Sequence, residues 1–451
     1  MQAVILDGGT ASRLFPFNEY RTKGMIPVGG KPLLKVLLEN LEEAGIKEAL
    51  IVVPGDNRGA GVRNYFKDYD RIKVEFIVQQ NPGGTAEALN LCSEKISDDF
   101  LLLYGGILVF PDSLEQMAQS PAPSIALLRE RVGRRIGAKM DGDIIKSFAL
   151  HPRWEGEVAA DYPLAGLFHL SLDILKRLDF NPGVFDRTPP GIPPLEEFEL
   201  SATLQGMAED MEVKGVFLPS VCIELDNPVN ILDARDAYMS WLVRKEQEPD
   251  IHPSAVIETQ YRGDLRRIGE GSVIEEGVRV NGMLSIGKNS KILQGTYLLG
   301  PCIIGDNCVI GPYAYVYNAD IGDGVHLGHC TEFTGVAMEG AYCTHYSYVS
   351  GVLGRKCNLG AATVCGTLRH DDRPVPVYVD GNRVETSRRG MGAFFGDYCR
   401  TGVNTVVLPG RMIGPRSVVD AGIVVEKNVP ADKYLKLKQS SELIDWKFPM
   451  V

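Results

Sequence analysis

The sequence lacks the cysteine spacing that a disulfide framework or a zinc site requires. Its nine cysteines are irregularly spaced and include no Cys-x-x-Cys pair. Without such spacing, cysteines more often serve as small apolar filler in a narrow core than as metal ligands or cross-links. We therefore interpret the cysteines of this chain as structural.

Long hydrophobic runs and an excess of basic residues are also missing. The N-terminal segment 1–9 has no basic region, and its apolar run is too short for a signal peptide or a membrane span. The 47 Lys and Arg residues against 58 Asp and Glu residues leave a net charge of -11, which repels a phosphate-rich polymer. We expect a cytoplasmic protein without a nucleic-acid or membrane partner.

The chain is long enough for more than one core. It has 451 residues, of which 44% are hydrophobic and 23% charged, as in globular proteins. Residues 1–245 alternate short apolar runs with amphipathic stretches, which predicts an α/β Rossmann-like domain with a mainly parallel sheet. Prolines and charges in the segment 247–253 mark its end. We place a second domain at residues 246–430 and a C-terminal tail at residues 431–451.

The second domain shows a six-residue repeat of aliphatic residues followed by glycine. Ile304 and Ile310 are six residues apart, as are Ile321 and Leu327, and Ile286 precedes Ile304 by eighteen. Hexapeptide periodicity predicts a left-handed parallel β-helix, in which each six-residue side points one aliphatic residue inward. A glycine-rich β-sandwich, the alternative, would show strict alternation with variable turn spacing.

Two segments near the N-terminus carry glycines and cations. Residues 6–16 read Leu-Asp-Gly-Gly-Thr-Ala-Ser-Arg-Leu-Phe-Pro, and residues 23–33 begin with Lys-Gly-Met-Ile-Pro. A glycine-rich turn after a strand presents backbone N–H groups to phosphate oxygens, and the cations Arg13 and Lys23 add charge. Together the segments resemble the signature L-A-A-G-x-G-T-R-L-x-P…K-P-x-x-P-V-x-G-K-P of sugar-phosphate nucleotidylyltransferases.

The resemblance continues through most of the first domain. Residues 79–89 are similar to the family segment that reads the nucleotide base, and residues 164–168 look like its sugar-binding strand. Residues 224–228 resemble its metal-binding strand, although a surface acidic pair is the alternative interpretation. The resemblance implies catalytic roles for Arg13 and Lys23, substrate contacts from Leu6, Gly8, Gly9, Gln79, Gly84, Thr85, Gly137 and Gly166, and metal ligation by Glu224 and Asp226.

The implied reaction joins a nucleoside triphosphate and a sugar 1-phosphate into a nucleotide sugar and pyrophosphate. Mg²⁺ and cationic side chains neutralise the developing charge in such a step. Three positions depart from the family pattern. Gly106 stands in place of a metal-binding aspartate, Gly24 in place of a proline, and residues 150–152 in place of a Glu-Lys-Pro segment. If the enzyme is active, the resemblance implies Mg²⁺ with one family ligand missing.

The second domain carries its own set of motifs. Residues 344–348, 358–363, 368–371 and 401–410 resemble, in order, the acetyltransferase domain of the bifunctional uridylyltransferase/glucosamine-1-phosphate acetyltransferases. The resemblance implies acetyl-CoA as donor and a homotrimer whose acyl sites lie between neighbouring β-helices. An amine that attacks a thioester needs a general base, and imidazole suits that role. A lone histidine is more often structural, but in this context we predict His345 as the base, with Tyr348 and Asn358 holding substrate.

Several cations of that acetyltransferase pattern are missing. Tyr317 stands where the family has an arginine, and Thr334 where it has a lysine. Arg388 and Arg389 are either substitutes that hold the sugar phosphate or solvated loop residues. Two hypotheses therefore remain open: an active transferase, or a catalytically reduced relative that binds nucleotide or sugar phosphate as a regulatory or scaffold protein.

Overall fold

The computed structural model of the protein describes residues 1–129, 136–149, 160–185, 196–258, 262–379 and 381–445. The first domain is built on a nine-stranded sheet, whose strands are Gln2–Leu6 (β1), Glu48–Pro54 (β2), Lys73–Gln79 (β3), Phe100–Tyr104 (β4), Ser124–Leu127 (β5), Gly137–Asp141 (β6), Ile144–Ala149 (β7), Tyr162–Leu170 (β8) and Val213–Phe217 (β9). Their order in the sheet is β3-β2-β1-β4-β8-β5-β9-β7-β6. Strands β1 to β4 are parallel to one another, so their carboxyl ends meet at one edge.

Helices cover this sheet with apolar faces, except for the last helix, which packs against the second domain. In the first helix, Leu34, Leu37, Leu38 and Leu41 recur at helical spacing and are buried. No helix of the described ranges is long and apolar enough to cross a membrane. The α-helices are Leu33–Glu43 (α1), Asn57–Tyr65 (α2), Thr85–Asn90 (α3), Pro111–Gln119 (α4), Asp173–Arg177 (α5), Leu200–Asp210 (α6) and Val229–Arg244 (α7). Shorter 3₁₀ turns lie at Ser12–Leu14, Lys23–Met25, Ser93–Lys95 and Leu178–Phe180.

Three short antiparallel pairs complete the first domain. The hairpin Pro27–Val28 with Lys31–Pro32 follows the predicted catalytic lysine. Ile223–Glu224 pairs with Ile107–Leu108, so that the predicted metal strand lies against the chain that leaves β4. The third pair joins Val184–Phe185 with Glu196–Glu197.

The second domain is a left-handed parallel β-helix, which confirms the fold class predicted from the hexapeptide repeat. The strands of one coil pair in parallel with the equivalent strands of the next coil, for example Ile286 with Ile304 and Ile304 with Ile321. The last paired strand, Tyr434–Leu435, lies inside the segment predicted as a tail. The longer strands are Arg262–Ile268, Arg279–Ile286, Tyr297–Ile304, Tyr315–Ile321, Glu332–Ala337 and Tyr348–Leu353.

The remaining strands of the β-helix are two or three residues long. One face consists of Val256–Ile257, Val273–Ile274, Lys291–Ile292, Val309–Ile310, His326–Leu327, Tyr342–Cys343, Asn358–Leu359, Arg400–Thr401, Val418–Val419 and Tyr434–Leu435. The others are Asp250–Ile251, Val364–Cys365, Ala393–Phe395, Val406–Val407, Met412–Ile413 and Val424–Val425, with a hairpin of Val377–Val379 and Asn382–Val384.

The β-helix interior is a narrow apolar column. Aliphatic side chains of successive coils stack there, with Cys308, Cys343, Cys357 and Cys399 filling positions among them. Eight of the nine cysteines are buried and all are free, Cys330 being the exposed one. The interpretation of the cysteines as small apolar filler agrees with this placement.

The two domains pack against each other through a shared apolar core. Phe17 of the first domain meets Phe394 of the β-helix edge to face, with ring centroids 6.5 Å apart. Val336 and Met338 of the β-helix belong to the same buried cluster, as does Tyr238 of α7. The interface between the domains is therefore an apolar core to which both domains contribute buried side chains.

Buried polar contacts fix the relative position of the domains. The guanidinium of Arg21 contacts the carboxylate of Asp397 at 2.9 Å, and the side chains are 10% and 0% exposed. The backbone N–H of Gly29 donates to Asp320 at 2.6 Å. Because both carboxylates belong to the β-helix and both donors to the N-terminal domain, these bonds form only in the docked arrangement.

Candidate functional site

The glycine-rich turn follows β1 at the carboxyl edge of the sheet. Leu6 ends the strand, and Gly8 lies so close to Gln79 that a Cβ on Gly8 would be 2.4 Å from the Gln79 side-chain oxygen. A Cβ on Gly9 would meet nothing within 4 Å. The turn is therefore packed on one side and open on the other, as a phosphate cradle must be.

Two predicted catalytic cations and two predicted metal ligands meet beside this turn. Arg13 contacts Asp226 through both terminal nitrogens, at 3.0 and 3.2 Å. The ammonium of Lys23 lies 3.5 Å from Glu224 and 4.0 Å from Asp226. The four side chains form an ion cluster with no net charge, in which Arg13 is 53% exposed. The structure thus brings together residues that are more than 200 positions apart in the sequence.

The predicted base-reading residues form a second group beside the turn. The Gln79 side-chain amide donates to Glu87 at 2.6 Å and is buried. The Thr85 hydroxyl donates to Glu199 at 2.9 Å. Gly84 has φ +104°, and a Cβ there would lie 2.5 Å from the backbone of Phe198, so only glycine fits. These contacts hold the start of α3 against the segment that precedes α6.

The predicted sugar-side glycines lie on neighbouring strands. Gly166, at φ +75° on β8, packs against Tyr104 at the end of β4. Gly137 begins β6 and pairs with Pro163 of β8. β8 pairs antiparallel with β4. The strands of both glycines are therefore connected through β4 to the sheet edge that carries the glycine-rich turn. The segment 150–152, predicted to lie on the sugar side, falls outside the described residues.

Two further charged residues lie beside the turn, Asp7 and Arg58. Asp7 is buried and accepts hydrogen bonds from the Thr22 hydroxyl and, at 3.0 Å, from the Gly24 N–H. Burial raises the pKa of Asp7 to about 6, although these bonds and the nearby charge of Lys23 act in the opposite direction. Arg58, at the start of α2, donates to the Thr10 carbonyl at 3.0 Å. Asp7 therefore anchors the chain that carries Lys23 to the end of β1.

We predict that Asp7→Asn stabilises the protein near neutral pH. The folded-state pKa of Asp7, about 6 against an ordinary 3.8, means that the folded chain binds a proton that the unfolded chain has released. Stability from this group is therefore full below the ordinary pKa and is lost as pH rises through about 6. The variant should gain roughly 1–3 kcal/mol over wild type at about pH 7 and nothing near pH 4. Urea unfolding at both pH values measures this, and a pH-independent difference would contradict it.

The predicted acyl-transfer residues lie around one corner of the β-helix. His345 is exposed at the turn between the strands Tyr342–Cys343 and Tyr348–Leu353. Tyr348 is the first residue of the strand that follows this corner. Asn358 is in the next coil and pairs with Tyr342. His329, which sequence reasoning missed, lies in the preceding coil with its Nδ1 3.0 Å from the Nδ1 of His345. Because the two histidines occupy equivalent positions in successive coils, the sequence repeat could have predicted that they lie close together.

The comparisons with known proteins match both halves of this description. Residues 2–126 match the Nucleotidyl transferase family, and residues 284–318 match the Bacterial transferase hexapeptide (six repeats) family. The Bifunctional protein GlmU of Methanococcus vannielii is 28% identical over 97% of this chain and 98% of its own length. The bifunctional sugar-1-phosphate nucleotidylyltransferase/acetyltransferase of Sulfurisphaera tokodaii is also 28% identical, over 97% of this chain and 100% of its own.

This chain is similar, over nearly its whole length, to the bifunctional sugar-1-phosphate nucleotidylyltransferase/acetyltransferases. The similarity extends through both domains, because both relatives are covered almost completely. A crystal structure of UDP-glucose pyrophosphorylase with UDP-glucose aligns with 53% of this chain and 98% of its own, at 18% identity and a TM-score of 0.43.

Against that family pattern, Gly106 has a structural counterpart in Lys23. A Cβ on Gly106 would lie 2.6 Å from Cδ and 2.8 Å from Cβ of Lys23. The lysine side chain therefore runs through the space that an aspartate at position 106 would occupy. Its ammonium then faces Glu224 and Asp226, the two carboxylates that the resemblance assigns to the metal.

The residues present do not fit a resident Mg²⁺. Mg²⁺ prefers near-ideal octahedral coordination by oxygens and is commonly held by carboxylates together with substrate phosphates. Here Glu224 and Asp226 are already paired with Lys23 and Arg13, and Gly106 offers no side-chain oxygen. Within the described ranges no group of three or more His, Cys, Asp or Glu side chains could hold a metal ion.

The acetyltransferase corner also departs from the family pattern. The Tyr317 hydroxyl, in place of an arginine, is hydrogen-bonded to Tyr348, and burial raises the pKa of Tyr317. Arg388 contacts Asp233 at 2.8 Å and Asp236 at 2.6 Å on α7. The interpretation of Arg388 as a solvated loop residue is wrong, because this side chain is 20% exposed and forms an ion pair between the domains.

Proposed function

We propose that the first domain is a sugar-1-phosphate nucleotidylyltransferase. A phosphate oxygen of the sugar 1-phosphate attacks the α-phosphorus of a nucleoside triphosphate, and the bond to the β-phosphate oxygen breaks to release pyrophosphate. The observation that supports this most is the ion cluster of Arg13 and Lys23 with Glu224 and Asp226 beside an open glycine-rich turn. In open α/β sheets ligands bind at this carboxyl edge.

Arg13 and Lys23 supply the positive charge in this proposal. Phosphoryl transfer needs little covalent work from the protein, and its catalysis rests on positioning and on neutralising charge. An entering triphosphate competes with Glu224 and Asp226 for the two cations. Gln79, Gly84 and Thr85 contact the base, with the sugar phosphate on the side of Gly137 and Gly166.

We further propose that the β-helix transfers an acetyl group from acetyl-CoA to an amino sugar, with His345 as general base and Tyr348 and Asn358 holding substrate. This proposal includes a homotrimer. Large aromatic and aliphatic side chains are exposed near the His345 corner, and such a patch favours an interface. They are Tyr313, Tyr342, Tyr346, Val364 and Leu368.

The homotrimer predicts a solution mass of three chains in light scattering at micromolar concentration. Replacing Tyr346, which is 62% exposed, with arginine should lower the mass, because burying an unpaired charge costs several kcal/mol. A matched arginine at Tyr434, 60% exposed at the far end of the β-helix, should leave it unchanged. A wild-type monomer would contradict both the trimer and an acyl site between β-helices.

A second candidate function is favoured by Gly106. The missing carboxylate and the lysine that fills its space fit a catalytically reduced relative that binds nucleotide or sugar phosphate as a regulatory or scaffold protein. Loss of a metal ligand removes several kcal/mol of transition-state stabilisation. The cytoplasmic location stays a prediction of the sequence under either function.

Turnover assays separate the two functions. A thermal-shift panel of nucleoside triphosphates, nucleotide sugars and acetyl-CoA identifies ligands, since binding stabilises the folded state whether or not the site turns over. Pyrophosphate release with the stabilising nucleotide and a set of sugar 1-phosphates then tests the transferase. Release that is lost in Arg13→Met supports it. Stabilisation without release by any sugar 1-phosphate would favour the binding relative.

A further inference from the structure

A histidine pair crosses two coils of the β-helix beside the proposed acetyl-transfer site. The Nδ1 atoms of His329 and His345 are 3.0 Å apart, and the ring centroids are 4.6 Å apart. The stacking follows from the repeat: the Tyr346 N–H donates to the His329 carbonyl, so the two corners lie directly above each other. His329 is half-buried and His345 is exposed.

A hydrogen bond between two Nδ1 atoms constrains both tautomers. One ring must carry its proton on Nδ1 and donate, while the other must accept and carry its proton on Nε2. If His329 were the donor, His345 would hold its own proton on Nε2 and have no lone pair there. A general base at the exposed edge of His345 therefore requires His345 to be the donor.

We infer that His329 is a positioning residue that accepts the Nδ1 proton of His345 and leaves the Nε2 lone pair of His345 free to act as base. This inference rests on the proposed acetyl transfer. It gives His329 the part that a carboxylate plays in hydrolase triads, where the partner fixes ring orientation and tautomer without taking the proton.

The step balances through His345. The substrate amine attacks the thioester carbonyl carbon of acetyl-CoA, and Nε2 of His345 takes the amine proton. The carbon–sulfur bond then breaks, and the proton passes from Nε2 to the leaving CoA thiolate. His329 stays neutral throughout and holds the imidazolium of His345 by the same Nδ1–Nδ1 bond, which becomes charge-assisted at that moment.

Other aromatic rings lie near the pair. The Tyr346 ring meets His329 edge to face, with centroids 4.7 Å apart. His326 stacks on Tyr342 at 4.5 Å, and burial, with a smaller contribution from His345, lowers the pKa of His326. A neutral His326 adds no charge beside the pair, which favours a single proton moving on and off His345.

The tautomer of His345 tests this inference without any activity. In the full chain with ¹⁵N-labelled histidine, magic-angle-spinning NMR should show His345 protonated on Nδ1 and bare on Nε2. His329→Gln, whose carbonyl oxygen can accept, should keep that tautomer, and His329→Phe, which keeps a ring but no acceptor, should lose it. A wild-type His345 protonated on Nε2 would overturn the inference.

Kinetics give the second readout if acetyl transfer is present. His329→Phe should lower kcat by about 10²-fold or more with little change in KM, because a wrong tautomer removes the base and not the substrate contacts. His329→Gln should recover most of the loss, and His326→Phe, which keeps the stack on Tyr342, should behave as wild type. Equal loss in the Phe and Gln variants of His329 would contradict a positioning role. If no acetyl transfer occurs, the proposed function fails and the tautomer measurement still decides the inference.

Discussion

Lys23→Met should weaken nucleoside triphosphate binding by roughly tenfold to hundredfold. A hydrogen bond from a charged donor contributes about 1.5–3 kcal/mol, and Lys23 is one of the cations beside the open turn. The loss should be larger than that of a simple contact, because Glu224 and Asp226 would then face the phosphates with Arg13 alone. Calorimetric titration of the nucleotide that gives the largest thermal shift measures the change in Kd.

Lys35→Met is the matched control for Lys23. Lys35 is a half-buried lysine of α1, whereas the ion cluster lies at the carboxyl edge of the sheet. Its replacement should leave the Kd within about twofold of wild type, as for surface substitutions away from a site. Equal loss in both variants would mean that total charge, and not the position of Lys23, governs binding.

Arg21→Met should destabilise the protein by about 3–5 kcal/mol. Removing one partner of a buried ion pair leaves the other charge uncompensated. The carboxylate of Asp397 is fully buried, and without Arg21 it would keep the Arg355 N–H, which donates at 2.7 Å. Because the pair joins the two domains, the loss should appear as a lower urea midpoint of the transition that reports their docking.

Arg416→Met separates burial from charge at the same interface. Arg416 contacts Glu19 across the domains, but both side chains are about one-third exposed. Exposed ion pairs contribute little to stability, so this variant should unfold close to wild type. A large loss for Arg416 together with a small loss for Arg21 would show that burial of the Arg21 pair does not matter.

Local patterns predicted the fold because each element carries its own periodicity. The repeat that relates Ile286, Ile304 and Ile321, one in each successive coil, reappears as one internal column of the β-helix. The α/β alternation and the segment at residues 247–253 likewise separate the two architectures, as α7 ends at Arg244 and the first β-helix strand begins at Asp250. The patterns that predict these elements and the domain boundary can be recognised in short stretches of the sequence.

Contacts between distant residues were not predictable in the same way. Arg21 and Asp397 are separated by 376 positions, and no sequence pattern pairs them. The Lys23 side chain fills the space beside Gly106, a relation that follows from how the chain after β4 lies against the lysine. The burial of Asp7 depends on Gly24 and Gly105, whose missing side chains leave room for its carboxylate. Each of these depends on three-dimensional placement, for which single-sequence patterns carry no signal.

The central claim is that Arg13 and Lys23, rather than a resident metal, neutralise the phosphate site. The most direct test is the Kd of the stabilising nucleoside triphosphate, measured by calorimetry in EDTA and again in excess Mg²⁺. We expect the two values to agree within about threefold, since the two remaining carboxylates are already paired with side-chain cations. Binding that is lost in EDTA and restored by Mg²⁺, and that is weakened by Glu224→Ala and Asp226→Ala, would contradict the claim.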